Sequence, residues 1–299
     1  PRDTLLVVGN PLFAQGPFFS TANSPNWAHH KFSALTHPNV LQDDPGLFPG
    51  AVTRSYVERM KREYGESSPV YISRVLAEFP SQASTGLVSL AKLQEAVERR
   101  RKFRPSSHDQ LAVGIDPSRS AEGDETLLAF RRSNVITELL PIRVEGDLMT
   151  LVGRIVEAIE ARGFRRRVEA DPFSRPAQDP VGTVVVDAVG IGAGVADRIA
   201  EVGFKVEEFY AGRSPADKQR YANKRAESYW HLREAIERGQ IGLPDDPMLF
   251  EELVSTQYRP NSAGRLTIEP KDDLRARLGR SPDRADAAAM SWTRSAASV

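Results

Sequence analysis

The sequence predicts an α/β protein whose main domain is a mixed β-sheet flanked by helices. Three apolar runs, 111–116, 126–130 and 135–144, are spaced like an antiparallel meander of three strands. After them, a helix is predicted over 147–162, because the apolar residues of this segment recur at helical spacing. The next apolar run, 182–187, is predicted to be a fourth strand, which the chain reaches through this helix as a crossover connection.

Composition excludes several kinds of site. The chain of 299 residues has 40 Lys and Arg against 40 Asp and Glu, so any contact with nucleic acid must come from local clusters of charge. The absence of cysteine excludes disulfides, thiolate catalysis and cysteine-bound zinc. No apolar run approaches the roughly 20 residues of a membrane helix, and the N-terminus lacks a signal-peptide pattern, so we expect a cytoplasmic protein.

The region before residue 109 is predicted to be organised separately. Thr4–Pro11 has the composition of a buried strand that runs into a turn. Helices are predicted over 53–65, 69–77 and 90–101, the first of them capped by Thr53 and ended by Gly65. A Ser-rich link at 80–86 lies between the second and the third. We therefore divide the chain into a first domain, a connecting segment with a helix, and the main domain, over 1–85, 86–108 and 109–299.

The rest of the main domain alternates between helices and strands. A glycine-rich turn at 190–194 precedes a helix to residue 202 and a strand over 204–209. The last predicted elements are helices over 215–238 and 247–254, a hairpin around 261–264, and two closing helices over 271–279 and 283–296. No internal repeat interrupts this order.

Acidic residues stand at three of these element ends. Asp116 and Asp187 each end an apolar strand, and Asp283 and Asp286 begin the last helix. An Asp before proline is also ordinary turn chemistry, so Asp116 alone would indicate no more than a turn. The second strand that ends in Asp and the acidic helix start favour a shared site, held rigidly at the edge of a sheet.

The order of the elements is that of a ribonuclease-H-like fold. In such a fold the first strand lies centrally, next to the fourth, and a late helix points its first turn at the ends of both. Asp116, Asp187 and Asp286 are far apart in sequence, so only a fold can bring them together.

Clustered carboxylates suit the metal-dependent cleavage of a phosphodiester. Two divalent ions about 4 Å apart activate water, stabilise the charged transition state and assist the leaving oxygen. Mg²⁺ prefers hard oxygen ligands, which Asp side chains supply. The five histidines have no zinc-protease spacing and cysteine is absent. We therefore predict two Mg²⁺ or Mn²⁺ ions rather than zinc.

Several stretches of the chain resemble the large terminase subunit of tailed bacteriophages and prophages. Four motifs in the main domain carry the resemblance: Gly114–Ser118 with Asp124–Thr126, Val186–Gly194, Tyr221–Glu227 and Arg280–Ala287. They are specific jointly, since each of them alone is weak. In the first domain, residues 6–11 are similar to a late strand of the family's ATPase domain, and residues 50–80 to its final helices.

This resemblance implies a function and its residues. The C-terminal domain of the family is a metal-dependent nuclease that cuts double-stranded DNA, and its acidic residues match Asp116, Asp187 and Asp286. Asp283 is either a fourth metal ligand or the N-cap of the last helix. The resemblance also implies the portal protein and the small terminase subunit as partners, the host cytoplasm as location, and no membrane contact.

The resemblance further implies that residues 1–85 are the end of a P-loop ATPase domain. The sequence contains no Gly-x-x-x-x-Gly-Lys-[Ser/Thr] loop to hold phosphates. We therefore expect no ATP hydrolysis by this chain.

Two other patterns have a structural and a functional interpretation. Gly190–Gly194 is similar to a dinucleotide-binding loop, but no strand-end acid follows at the expected distance, which favours a turn that packs helix on sheet. Basic residues are usually solvated, yet a DNA-cutting protein without net charge needs local phosphate contacts. The set predicted to bind DNA follows the second acidic strand and comprises Arg213, Lys218, Arg220, Lys224 and Arg225.

Two rival functions remain open at the level of sequence. A Holliday-junction resolvase or transposase-type nuclease would share the fold and the acidic residues, although the first domain speaks against it. A non-catalytic docking module of the packaging motor would need the fold but not the carboxylates. Incubation with plasmid and Mg²⁺ or Mn²⁺ separates an enzyme from a docking module.

Overall fold

The computed structural model describes residues 5–11, 17–66, 68–79, 86–118, 125–144, 147–168, 179 and 181–293. The chain forms two compact units. The smaller unit comprises Pro1–Gly86 and Gln257–Thr267, and the larger unit comprises Leu87–Thr256 and Ile268–Val299. Most of the predicted Ser-rich link and Asp124 of the first motif lie outside the described residues.

The helices are α1 (Pro17–Ala22), α2 (Pro38–Leu41), α3 (Arg54–Tyr64), α4 (Pro69–Arg74), α5 (Leu90–Lys102), α6 (Leu148–Glu160), α7 (Ile191–Glu201), α8 (Lys224–Glu237), α9 (Pro247–Ser255), α10 (Lys271–Leu278) and α11 (Asp283–Ser291), with a 3-10 turn at Ala34–Thr36. The strands are β1 (Leu111–Asp116), β2 (Thr126–Arg132), β3 (Val135–Ile142), β4 (Thr183–Asp187), β5 (Val206–Phe209), β6 (Tyr258–Pro260) and β7 (Leu266–Ile268). Within the part of the chain that is described, no helix has the length and apolarity to span a bilayer.

The larger unit is built on a five-stranded mixed sheet with the strand order β3-β2-β1-β4-β5. β1, β2 and β3 are antiparallel neighbours, as the predicted meander requires. After α6 the chain returns to the sheet as β4, which pairs with β1 in parallel, and β5 pairs with β4 in the same sense. The predicted ribonuclease-H-like mixed sheet, with the first strand in the centre beside the fourth, is therefore confirmed.

Helices α6 and α7 cover one face of this sheet. Val113 and Ile115 of β1 point into a core that also contains the side chains of α6 and α7, among them the fully buried Ile155 and Ile199. The opposite face is covered as well, by α11. Burial on both faces explains why the central strands are apolar without the alternation of a half-exposed strand.

Helix α11 lies very close to β1, and Gly114 makes this approach possible. A Cβ atom built at Gly114 would lie 2.1 Å from the carbonyl oxygen of Ala287 and 2.6 Å from the backbone nitrogen of Ser291. On the helix side, Ala287 and Ala288 are small and fully buried. Strand and helix therefore pack backbone to backbone, and this contact sets where the first turn of α11 lies relative to the end of β1.

The smaller unit differs from the prediction at its first element. The strand predicted over Thr4–Pro11 is not formed, since residues 5–11 have no regular structure. Leu6 and Val8 are 81% and 83% exposed. A strand needs neighbours to pair with its N–H and C=O groups, and no strand of the described residues pairs with this segment. The predicted N-cap of α3 is confirmed, because the Thr53 hydroxyl accepts a hydrogen bond from its first turn.

In the larger unit, α8 begins later than predicted. The predicted start lay near residue 215, but Asn223 caps the helix by accepting a hydrogen bond from the Ala226 backbone nitrogen at 2.8 Å. The side chain of Asn223 thereby satisfies a backbone donor that has no partner within the helix. Residues 215–223 form a loop with turns instead.

The two units also divide the chain differently from the predicted segments. α5, predicted as part of a connecting segment over 86–108, belongs to the larger unit, where Leu93 and Ala96 are fully buried. The hairpin of β6 and β7, predicted inside 109–299, belongs to the smaller unit except for Ile268. The functional division of the chain near residue 86 stays a prediction.

Gly114→Val is expected to destabilise the larger unit. A branched side chain at this position would collide with the Ala287 carbonyl group, so α11 would have to move away from the sheet. We expect a loss of about 3 kcal/mol in the free energy of unfolding, at the upper end of what overpacking usually costs. Urea denaturation measures it.

The matched control is Gly153→Ala on α6, where an added Cβ meets no atom within 4 Å. Because alanine is the better helix former, this variant should be as stable as the wild type or more stable by up to about 1 kcal/mol. Equal stability of the two glycine variants would contradict the close approach of α11 to β1.

Candidate functional site

Two of the predicted acidic residues lie side by side at one edge of the sheet. β1 and β4 are parallel, and Ile115 pairs with Val186, so Asp116 and Asp187 follow at the same edge. A Cβ built at Gly192 would lie 1.7 Å from the carbonyl oxygen of Asp187. The glycine therefore lets α7 begin directly against the end of β4, which confirms the predicted packing role of the glycine-rich run.

Helix α11 brings two further carboxylates to this edge. Asp283 and Asp286 are three residues apart in its first turn and so lie on the same side of the helix. The ammonium nitrogen of Lys271, the first residue of α10, lies 3.0 Å from Asp116 Oδ2, 3.0 Å from Asp286 Oδ2 and 3.3 Å from Asp283 Oδ1. Three carboxylates from β1 and α11 thus surround one cation.

The two strand-end carboxyl groups are difficult to ionise. Burial raises the pKa of Asp116 to about 8, assisted by repulsion from Asp286 and Asp283 and opposed by Lys271. Burial likewise raises the pKa of Asp187, although a hydrogen bond from the Val189 backbone N–H opposes the shift. Without a further cation nearby, both groups hold a proton at higher pH than an exposed Asp does.

Asp286 behaves in the opposite way. Burial alone would raise its pKa, but Arg225, Lys271 and a hydrogen bond from Tyr229 together lower it. The Tyr229 hydroxyl donates to Asp286 Oδ1 at 2.5 Å, and Arg225 Nε donates to the same oxygen at 3.3 Å. Burial would lower the pKa of Lys271, but the surrounding carboxylates raise it. Asp286 is therefore ionised and Lys271 charged, and the two form an ion pair within the cluster.

The donor set suits a hard divalent cation, with one obstruction. Carboxylate oxygens are the ligands that Mg²⁺ and Mn²⁺ prefer, and the ammonium of Lys271 already lies among them as a cation. As the side chains stand, no three acidic or histidine side chains in the described ranges are arranged to coordinate one ion. A divalent ion therefore fits this donor set only when Lys271 withdraws.

Asp283 is not the N-cap of α11. The cap position is occupied by Pro282, which makes no side-chain cap bond, while Asp283 pairs with Lys271. The backbone N–H of Ala285 is satisfied from another helix, because Glu252 of α9 accepts it at 2.7 Å. The helix-cap alternative for Asp283 is therefore wrong, and the residue that caps α11 is the fully buried Glu252.

The five basic residues predicted to bind DNA have different surroundings. Three of them pair with carboxylates of the same unit: Arg220 with Glu234, Lys224 with Glu227, and Arg225 with Asp286. The other two, Arg213 and Lys218, are exposed. DNA binding by these five residues stays a prediction. Arg213 and Lys218 agree with it best, because their side chains are exposed.

Reasoning from the sequence missed three residues that touch the site or its helix: Lys271, Tyr229 and Glu252. Lys271 has no spacing relation to any of the acids. Tyr229 lies two residues beyond the motif Tyr221–Glu227 and follows Arg225 by four residues, one helical turn, and this spacing is a signal that the sequence contains. The remote cap from Glu252 has no counterpart in a local pattern.

No protein-family model matches the chain. In sequence, the chain is similar to the probable large terminase subunit of Enterobacteria phage P7, with 22% identity over 298 residues. The match covers 94% of this chain and 56% of the relative, so the chain spans about half the length of the relative.

Solved structures of nuclease domains share the fold. The nuclease domain of the large terminase subunit gp2 of bacterial virus Sf6 has a TM-score of 0.55 and 19% identity, over 71% of this chain and 100% of that domain. A lysine-to-alanine mutant of the same domain with manganese has a TM-score of 0.53 and 19% identity, over 70% and 100% of the two chains. The predicted resemblance of this chain to the large terminase subunit is therefore confirmed, in sequence by the phage P7 protein and in fold by the Sf6 domain.

Proposed function

We propose that this chain is a metal-dependent endonuclease that cuts double-stranded DNA during viral genome packaging. The observation that carries the proposal is the meeting of Asp116, Asp283 and Asp286 around one cation, at the sheet edge where β4 ends in Asp187. Carboxylates gathered in this way are the usual support for two divalent ions in nucleases.

Four residues are proposed to hold two Mg²⁺ or Mn²⁺ ions: Asp116, Asp187 and Asp286, which are also the proposed catalytic residues, and Asp283. When bound, such ions activate water and stabilise charge on the phosphate and on the leaving oxygen. The contribution of the chain is to place the oxygen atoms. β1 and β4 hold two carboxylates at neighbouring strand ends, and the first turn of α11 presents the other two.

Lys271 is proposed to leave the carboxylates when a metal ion binds. An ammonium group and a divalent ion repel each other, and both are attracted to the same oxygens, so they compete for one place. The side chain of Lys271 is 37% exposed, so it has access to solvent and can turn outward without opening the core.

The substrate and partners follow from the same proposal. Arg213 and Lys218, which are exposed, are proposed to contact DNA phosphates without reading sequence. The portal protein and the small terminase subunit are the proposed partners, in the host cytoplasm. Residues 1–85 are proposed to be the end of an ATPase domain, and the chain has no phosphate-holding loop in its sequence, so ATP hydrolysis is not expected of it.

Asp116→Asn is expected to abolish DNA cleavage without harming the fold. The substitution keeps the shape of the side chain and removes one negative charge from the cluster. Metal affinity should fall, and plasmid nicking with Mn²⁺ should drop by about a hundredfold or more. In EDTA the melting temperature should equal or exceed that of the wild type, because Asn is neutral at every pH whereas Asp116 acquires a buried charge as the pH rises toward about 8, and the stabilisation by Mn²⁺ should shrink.

The control for this experiment is Asp197→Asn, which makes the same chemical change at an exposed position on α7. It should nick plasmid and melt like the wild type. If Asp116→Asn were less stable in EDTA and still cut plasmid, Asp116 would only shape the turn after β1, and the proposal would fail.

The metal-free protein is expected to lose stability as the pH rises from about 4 to about 8. Burial raises the pKa of Asp116 from the ordinary 3.8 to about 8, so over this range the folded state keeps a proton that the unfolded state has released. The stability due to this proton is complete below the ordinary pKa and is lost as the pH rises toward about 8. The slope contributed by Asp116 is at most about 1.4 kcal/mol per pH unit, and Glu252, whose pKa burial raises to about 7, adds to the slope in the same direction.

Urea denaturation in EDTA, repeated across this pH range, measures the slope. Asp116→Asn has no titrating group at this position and should show a flatter profile. A wild-type stability that rises with pH over the same range, with Asp116→Asn unchanged from it, would be the opposite of the expected result.

Lys271→Ala is expected to bind Mn²⁺ more tightly and to be less stable without metal. In EDTA, three carboxylates lose their common counter-charge, so the melting temperature should fall. With Mn²⁺, the competing ammonium is gone, and the dissociation constant should fall about tenfold. Lys205→Ala, at an exposed lysine paired with Glu207, is the control and should change neither quantity. Weaker Mn²⁺ binding by Lys271→Ala would contradict the competition.

A further inference from the structure

Two residues of α8 hold Asp286, and the proposed chemistry gives them no role. The Tyr229 hydroxyl and Arg225 Nε both donate to Asp286 Oδ1, at 2.5 Å and 3.3 Å. The other oxygen, Oδ2, lies 3.0 Å from the Lys271 ammonium nitrogen. One oxygen of this carboxylate therefore accepts hydrogen bonds from α8, and the other faces the ammonium group of Lys271.

Helix α8 holds these two donors in a fixed relation. Arg225 and Tyr229 are four residues apart, so they lie one turn apart on the same face of the helix. The Arg225 guanidinium lies 4.8 Å from the centroid of the Tyr229 ring. Asn223 caps the helix and thereby fixes the turn that carries Arg225. The two donors are thus preorganised before any ion arrives.

Arg225 also connects Asp286 with the segment that carries Lys271. Its Nη1 donates to the carbonyl oxygen of Glu269 at 2.6 Å, two residues before Lys271 in the chain. A single guanidinium group therefore sets both the orientation of Asp286 and the backbone position from which Lys271 reaches the cluster.

The two cations around Asp286 differ in how firmly they are held. The side chains of Arg225 and Asp286 are 12% and 13% exposed, and an unpaired charge at such depth is strongly disfavoured. The side chain of Lys271 is more exposed, at 37%, and makes its contacts through a single ammonium group. An incoming cation can replace Lys271, whereas Arg225 stays with its carboxylate.

We propose that Arg225 and Tyr229 are positioning residues for metal binding, which occupy Oδ1 of Asp286 and leave Oδ2 as the single oxygen that Asp286 offers to a divalent cation. The inference rests on the proposed function, because it concerns the orientation of one proposed ligand. It assigns Arg225 to the metal site rather than to the predicted DNA contacts. Groups that bond a metal ligand in this way typically affect metal affinity by 10–100-fold.

Tyr229→Phe tests the inference with the least disturbance, because it removes one oxygen atom and keeps the buried ring. Mn²⁺ binding to the full chain is measured without DNA, by calorimetric titration and by the electron paramagnetic resonance signal of free Mn²⁺. We expect the dissociation constant to rise about tenfold or more. Tyr221→Phe changes another tyrosine of the same unit that is 1% exposed, and it should leave the constant unchanged.

Arg225 is tested with a pair of substitutions. Arg225→Gln removes the charge and should weaken Mn²⁺ binding more than Tyr229→Phe does. Arg225→Lys keeps the charge but loses the planar fork of donors, so it should restore part of the affinity. Circular dichroism and melting in EDTA report whether each variant folds, and if Arg225→Gln does not fold, Tyr229→Phe decides the question alone.

The outcomes separate this inference from the function on which it rests. If wild type binds Mn²⁺ and Tyr229→Phe binds it equally well, the inference is overturned, even when the variant melts at a lower temperature, since a purely structural hydroxyl would change stability and not affinity. The proposed function then stands, provided that Asp116→Asn loses Mn²⁺ binding. Wild-type protein that binds no Mn²⁺ overturns both.

Discussion

The backbone contact between α11 and β1 at Gly114 is the constraint on which the rest of the site depends. Any side chain at Gly114 would push the helix away from the strand, because its Cβ would lie 2.1 Å from the Ala287 carbonyl oxygen. This contact brings the first turn of α11 to the sheet edge. Glu252 fixes the same turn from α9 by accepting the N–H of Ala285. Contacts with β1 and with α9 thus both determine the position of Asp286.

Charge is the second constraint. Four acidic side chains gather at one sheet edge, and two cations of the chain balance them, Lys271 at the exposed side and Arg225 at the buried side. The balance explains why Asp286 is ionised while Asp116 holds its proton up to about pH 8. The charges of the site are therefore balanced without metal, and in the proposed function Lys271 is the cation that a divalent ion would replace.

Much of the fold and part of the site could be predicted from the sequence. The strands of the sheet, α6 and the N-cap at Thr53 follow from local periodicity and capping, which depend on neighbours in the chain. The prediction of an N-terminal strand was wrong. A strand requires neighbouring strands to pair with, and an apolar run in the sequence does not specify them. The predicted start of α8 was wrong, because the cap at Asn223 determines where the helix begins.

The sequence by itself determined which carboxylates stand at element ends, since a strand that ends in Asp and a helix that begins with Asp are local patterns. Only the tertiary structure decided which side chains meet them. Lys271 reaches Asp116 across 155 positions of the chain, Tyr229 reaches Asp286 across 57, and Glu252 reaches Ala285 across 33. Such contacts depend on how helices pack on the sheet and on the direction that each side chain then takes. The four-residue spacing of Arg225 and Tyr229 places both on one face of α8, but it does not determine which carboxylate that face meets.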